Sequence, residues 1–138
     1  MRSFVDSNVL VYAHDDAEPA KQARARAVLA ELWEQRSGVL SVQVLQEFYV
    51  TVTRKWKDRA EVIDVRGIVE SLMEWSPYSP SASDVVEAID VSRRADLPFW
   101  DALIIVAAKR TGSDVVLTED LNHGQLVEGV RIENPFLL

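Results

Sequence analysis

Phe99-Trp100-Asp101-Ala102-Leu103-Ile104-Ile105-Val106-Ala107-Ala108 is a ten-residue run in which Asp101 is the only polar side chain. Pro98 suits the first turn of a helix over this run and Gly112 suits its end. Val115-Val116-Leu117-Thr118 follows closely and reads as a strand. An apolar helix leading into an apolar strand is one unit of an alternating pattern, and the flanking sequence repeats it. Upstream, Ser81 or Ser83 is placed to cap a helix carrying Val85, Val86, Ile89 and Val91, preceded by the loop-like Ser76-Pro77-Tyr78-Ser79-Pro80-Ser81 and a short strand over Trp75–Tyr78. Downstream, Val130–Glu133 reads as a last strand.

The N-terminal half has the same grammar. Ser3–Asp6 reads as the first strand, followed by a short helix through Val9, Leu10, Tyr12 and Ala13. Ala17–Gln35 is helical, with Val28, Leu29, Leu32 and Trp33 on one face, and Gly38–Ser41 is a second short strand. Leu45, Phe48, Tyr49, Val52 and Trp56 form a helical stripe over Val42–Trp56, and Val62, Val65, Ile68, Val69 and Leu72 form another over Glu61–Glu74. Strands alternating with helices predict an α/β fold with a central parallel sheet. The 138 residues, without repeats or a long linker, fit one domain over 1–138.

Asp101 is the anomaly in this pattern. A lone carboxylate carried into an apolar helix loses several kcal/mol of hydration unless it binds a proton or meets a cation. Asp6 ends the first strand, Glu47 interrupts the stripe of its helix, and Asp120 follows Val115-Val116-Leu117. In an open parallel sheet the ligand crevice lies beyond the carboxyl ends of the strands, where Asp6 and Asp120 both fall. Each acid also has a plain reading alone. Asp6 suits a helix cap, Asp101 gains from the positive end of its helix, and Asp120 suits a turn before Asn122 and Gly124. Glu47 falls nearly opposite its stripe and alone reads as solvent-facing. Together the four suggest one site.

Composition narrows the chemistry further. A chain without cysteine has no disulfide, no thiolate metal site and no cysteine nucleophile. No segment approaches the roughly 18 apolar residues of a membrane span, so no membrane association and a cytoplasmic location are expected. Residues 1–69 hold ten acidic and ten basic side chains, while residues 70–138 hold twelve and five, so the net charge of −7 arises in the second half. Indiscriminate attraction to nucleic acid is therefore not expected. Arg54-Lys55-Trp56-Lys57-Asp58-Arg59 is a local basic stretch with an aromatic inside it, joined by Arg93-Arg94, although such a run also reads as a solvated face. Trp100, beside Asp101 in a hydrophobic helix, reads as core, and neither His14 nor His123 need be catalytic.

Four stretches, in order, resemble a known family. Val5-Asp6-Ser7-Asn8-Val9-Leu10-Val11-Tyr12-Ala13 is similar to the opening motif of PIN-domain nucleases, particularly the VapC-type toxins of toxin–antitoxin pairs. Ser41-Val42-Gln43-Val44-Leu45-Gln46-Glu47-Phe48, Phe99-Trp100-Asp101-Ala102-Leu103-Ile104 and Leu117-Thr118-Glu119-Asp120-Leu121 resemble the segments carrying the family's other three acids. The resemblance spans almost the whole chain. It implies an α/β/α three-layer sandwich and an endoribonuclease using magnesium or manganese. Asp6, Glu47 and Asp101 would be the main metal ligands, Asp120 would complete the site or hold a second ion, and Asn8 and Thr118 would orient ligand or water. It further implies an RNA substrate such as tRNA or another structured RNA, a VapB-type antitoxin and a homodimer. Hard oxygen donors agree with magnesium or manganese rather than zinc. The competing readings are a PIN-like RNA- or protein-binding module with little catalysis, and a small-molecule phosphatase. The latter is weakened because Asn8 stands where the aspartyl-phosphate pattern Asp-x-Asp requires a second acid.

Overall fold

Strands β1 (Ser3–Val5), β2 (Gly38–Val39), β3 (Val115–Leu117), β4 (Leu126–Val127) and β5 (Val130–Glu133) form a five-stranded sheet in the order β2-β1-β3-β5-β4. The computed structural model describes residues 1–57 and 64–137. All pairings are parallel except the edge pair β4–β5. Both central strands, β1 and β3, are buried along their whole length, as expected where helices cover both faces of a parallel sheet. The flanking helices are α1 (Ser7–Tyr12), α2 (Pro19–Gln35), α3 (Val42–Lys55), α4 (Val65–Leu72), α5 (Ala82–Ala95) and α6 (Phe99–Arg110). This is the mostly parallel α/β arrangement that the alternating pattern predicts. No helix among the described residues is long and apolar enough to cross a membrane.

Register places the site. Val5 pairs with Leu117, and Leu117 with Glu133, so the carboxyl ends of β1, β3 and β5 lie level. The ladder runs one residue further, because the Asp6 amide donates to Leu117 O at 3.0 Å and the Thr118 amide to Glu133 O at 3.0 Å. The chain leaves β1 toward β2 on one side while β3 pairs on the other, so the strand order switches direction between β1 and β3. That is where a crevice opens in a sheet of this kind.

Helix starts are set locally. Asp6 caps α1 by accepting from Ser7 N at 2.8 Å, and Ser41 caps α3 by accepting from Val44 N at 3.3 Å. Ser81, not Ser83, caps α5, forming a reciprocal capping box with Asp84. Asp84 is buried but fully engaged, accepting from Tyr78 Oη, Ser81 N and Arg110 Nε.

Four expectations need correction. The predicted strand over Trp75–Tyr78 is instead a 3-10 turn over Met73–Trp75, with Tyr78 making one isolated bridge to Ser41. Strand β4 was not anticipated. It pairs with β5 across Glu128-Gly129, both at positive φ (51° and 85°), a two-residue hairpin loop whose geometry favours glycine. The α3 stripe keeps Phe48, Val52 and Trp56 buried as predicted and Leu45 partly buried against the core, but gains Gln43 and Val44 and loses Tyr49, which is 54% exposed. Trp33 is likewise exposed, leaving Ala25, Val28 and Leu32 as the buried face of α2. Glu61, Val62 and Ile63 of the fourth predicted helix, and Asp58 and Arg59 of the basic stretch, lie outside the described residues.

Gly38 in β2 is a close-approach glycine. A Cβ added there would sit 2.0 Å from the Trp75 ring. Gly38→Ala is therefore expected to cost about 1–3 kcal/mol by overpacking and to lower Tm measurably in a thermal melt. An unchanged Tm would show that Trp75 moves aside freely.

Candidate active site

Four carboxylates from four separated segments come within electrostatic reach of one another, and two of them, Glu47 and Asp120, line one hollow. Asp6 comes from the end of β1, Glu47 from the middle of α3, Asp101 from the first turn of α6, and Asp120 from the loop after β3. Glu47 arrives there because the buried face of α3 is rotated toward Gln43, Val44 and Phe48, which sets position 47 at the edge of that face rather than opposite it.

Hydrogen bonds fix the floor of the cleft. The buried Thr118 hydroxyl donates to Asp6 Oδ2 at 2.8 Å while accepting from Asn8 Nδ2 at 3.0 Å and Asp120 N at 3.1 Å. Asn8 Nδ2 also donates to Asp120 Oδ2 at 3.1 Å and, more weakly, to Asp6 Oδ2 at 3.4 Å. Gln43 Nε2 reaches both Glu47 Oε1 at 3.3 Å and the Trp100 carbonyl at 3.1 Å, tying the α3 acid to the start of α6.

The acids act on one another electrostatically. Burial raises the Asp6 carboxyl to about 6; hydrogen bonds from Thr118 and Ser7 oppose this, while the charges of Asp120 and Asp101 add to it. Burial also raises Glu47, to about 7, with the charges of Asp6, Asp101 and Asp120 contributing. Asp101 is raised by burial and then by Asp120. Among the described residues none of the four acids makes an ion pair. Asp84 is the contrast, held below the usual carboxylate range by the Tyr78 hydroxyl first and then by Ser81 and Arg110.

Such a donor set fits a hard divalent cation in kind, since negative oxygens in a partly dry cleft lack a counter-charge. It is not closed around one, however. Among the described residues no three acidic or histidine side chains stand close enough to hold an ion as they are. Asn8, wedged between Asp6 and Asp120, keeps those two carboxylates bridged through an amide.

The PIN domain family model matches residues 3–128, a span that contains strands β1 to β4 and all four acids. The chain belongs to the PIN-domain family. Two solved structures share its fold. One is Mycobacterium tuberculosis VapC20, described as a Sarcin-Ricin loop cleaving toxin, at 17% identity over 86% of this chain and 91% of that one, with a TM-score of 0.65. The other is Rickettsia felis VapBC2 bound to a DNA fragment from their promoter, at 18% identity over 97% and 98%, also with a TM-score of 0.65. A comparison with curated proteins finds no match.

In this PIN domain the cleft is a hollow of about 290 Å³ lined by Asn8, Tyr12, Glu47, Lys55, Glu119 and Asp120. Beside the acids, Tyr12 Oη donates to Glu119 Oε1 at 2.6 Å and Lys21 Nζ to Glu119 Oε2 at 3.0 Å. Lys55 pairs with the buried Asp15 at 2.8 Å, so part of the basic stretch fastens α3 to the segment after α1. Arg94 pairs with Glu128 on the β4–β5 hairpin. His14 packs edge-on against Phe48, and His123 Nδ1 accepts from Asn134 N. Trp100 overturns its reading as core, being 63% exposed. Gln43 was not singled out from sequence. Its signal was a polar residue at the start of an apolar helix, which is ambiguous until the buried face is known.

Proposed function

We propose that this PIN domain is a magnesium- or manganese-dependent endoribonuclease, the toxin of a VapBC-type pair, acting in the cytoplasm as a single domain spanning 1–138. The observation that carries this reading is the set of four mutually repelling carboxylates, none of which makes an ion pair among the described residues. A domain that only binds has no physical need to crowd such groups. Likeness in fold to one toxin described as cleaving the Sarcin-Ricin loop and to one solved as VapBC2 supports the RNA and antitoxin parts.

Asp6, Glu47 and Asp101 would hold the metal, with Asp120 completing the site or holding a second ion. When bound, the ion supplies positive charge to the scissile phosphate and makes water more acidic. The chain's residues supply orientation. Thr118 and Asn8 fix the Asp6 and Asp120 oxygens, and Gln43 fixes Glu47. A VapB-type antitoxin would silence the site by presenting an arginine or lysine to the acids in place of the metal. Apolar residues exposed on α3 and α5, including Tyr49, Val50, Val86 and Ile89, are compatible with the homodimer that the resemblance implies.

The test is incubation of purified, antitoxin-free protein with mixed tRNA and structured RNA. Cutting is expected with magnesium or manganese and is expected to stop in EDTA, returning on metal readdition. Cutting that persists in EDTA would remove the metal from the proposal, and no cutting with either metal would favour a binding module.

A further inference from the structure

We infer that the groove between α3 and the start of α6 holds an unpaired nucleobase of the RNA, stacked on Trp100, with Arg54 on its phosphate. This rests on the endoribonuclease reading and names the substrate contact it lacks.

The groove has a volume of about 610 Å³ and is lined by Gln43, Gln46, Glu47, Val50, Arg54 and Trp100. That is room for at least one nucleotide. Glu47 also lines the acid cleft, so the two hollows adjoin one candidate metal ligand. Trp100 immediately precedes Asp101, which places the indole one residue from the site. Its ring is 63% exposed and meets Phe99 edge-on at 5.1 Å.

The polar groups in the groove match a base better than an apolar peptide. Gln43 is 6% exposed and spends its amide nitrogen on Glu47 and the Trp100 carbonyl, while its Oε1 is buried without a hydrogen-bond partner among the described residues. An acceptor left in that state is costly, and a turn of the Gln43 amide toward the groove would let it accept from the amine edge of a base. Gln46 offers a second amide. Arg54 makes no ion pair among the described residues and lines the groove together with Glu47. Base, ribose and phosphate together present a flat π-face, a polar edge and an anion, in the same combination as Trp100, the two glutamines and Arg54. Proteins that take single strands use aromatic stacking and cationic contacts in this way.

The experiment measures binding by fluorescence anisotropy of a labelled, mixed-sequence single-stranded RNA in calcium, with the RNA verified intact afterwards. Trp100→Ala is expected to weaken binding about tenfold and Trp100→Phe to retain most of it. Arg54→Gln is expected to weaken binding and reduce its salt dependence by about one ion. Because the indole is exposed, both tryptophan variants should keep the wild-type Tm. Wild-type protein that binds RNA while Trp100→Ala binds it equally well would overturn the subsite and leave the ribonuclease reading standing. The same equal binding, with the variant turning from dimer to monomer in size-exclusion chromatography, would assign the face to a second copy of the chain instead. Wild-type protein that binds no single-stranded RNA would overturn the subsite, while the ribonuclease reading would stand or fall on cleavage of structured RNA.

Discussion

Asp101→Asn is expected to lower metal-dependent RNA cleavage by about 10²–10³-fold or more while leaving the fold intact. The substitution keeps the shape of the side chain and removes one charge from a site whose proposed work is electrostatic, where single preorganised groups carry effects of that size. It should not destabilise the protein, because Asp101 is a half-buried carboxyl whose charged form is disfavoured by burial and by Asp120. The first turn of α6 gains something from a negative charge, but that contribution is about 0.3–1 kcal/mol. Asp84→Asn is the informative control. Asp84 is more deeply buried than Asp101, yet it answers to Tyr78, Ser81 and Arg110, so its loss should lower Tm and leave the cleavage rate of folded protein unchanged. Measuring rate and Tm for both variants separates the roles. Undiminished cleavage by Asp101→Asn would remove this acid from the catalytic set.

The parts of this molecule legible from sequence are those where burial and composition coincide. Phe4-Val5 and Val115-Val116-Leu117 are apolar because both faces of their strands are covered, and the position of Asp6 and Asp120 just beyond them follows from the parallel register. The α3 stripe is right at Phe48, Val52 and Trp56 but wrong at Tyr49, because apolar does not imply buried. Tyr49 is exposed while Gln43 and Val44 are buried, so the predicted wheel is turned away from the true core face and sends Glu47 outward. Trp100 failed for the same reason. Strand β4 has two residues, too few to carry a periodicity, and its existence depends on the backbone of Glu128-Gly129. Gln43 could not be recognised because its role is relational. It is defined by the distance from α3 to the Trp100 carbonyl, a contact between residues 57 apart in the chain.

The mutual repulsion of the acids should also be visible without RNA. A carboxyl raised by folding is protonated more readily in the folded than in the unfolded chain. The folded state therefore binds the extra proton between the two pKa values, and stability falls as pH rises through that window. For Asp6 the window runs from 3.8 to about 6, and for Glu47 from 4.5 to about 7. Asp6 is only 7% exposed, so solvent screens it little. Across pH 4.5–7.5, wild-type protein in EDTA should lose about 2 kcal/mol of stability relative to Asp6→Asn, at about 1.4 kcal/mol per pKa unit. His14 acts in the opposite sense. Burial lowers its pKa, so its contribution is lost as pH falls below 6.5, and comparison with the mutant cancels it. Asp84 and Glu128 are lowered rather than raised, so their contributions are present above their unfolded values and lost only in more acidic solution. Saturating magnesium should abolish the wild-type penalty at pH 7.5, because a divalent cation stabilises the charged form that folding alone disfavours. Urea unfolding of both proteins across this range, with and without magnesium, measures the difference. A difference independent of pH would mean that the Asp6 charge is already compensated, and the argument for a cation in this cleft would lose its physical basis.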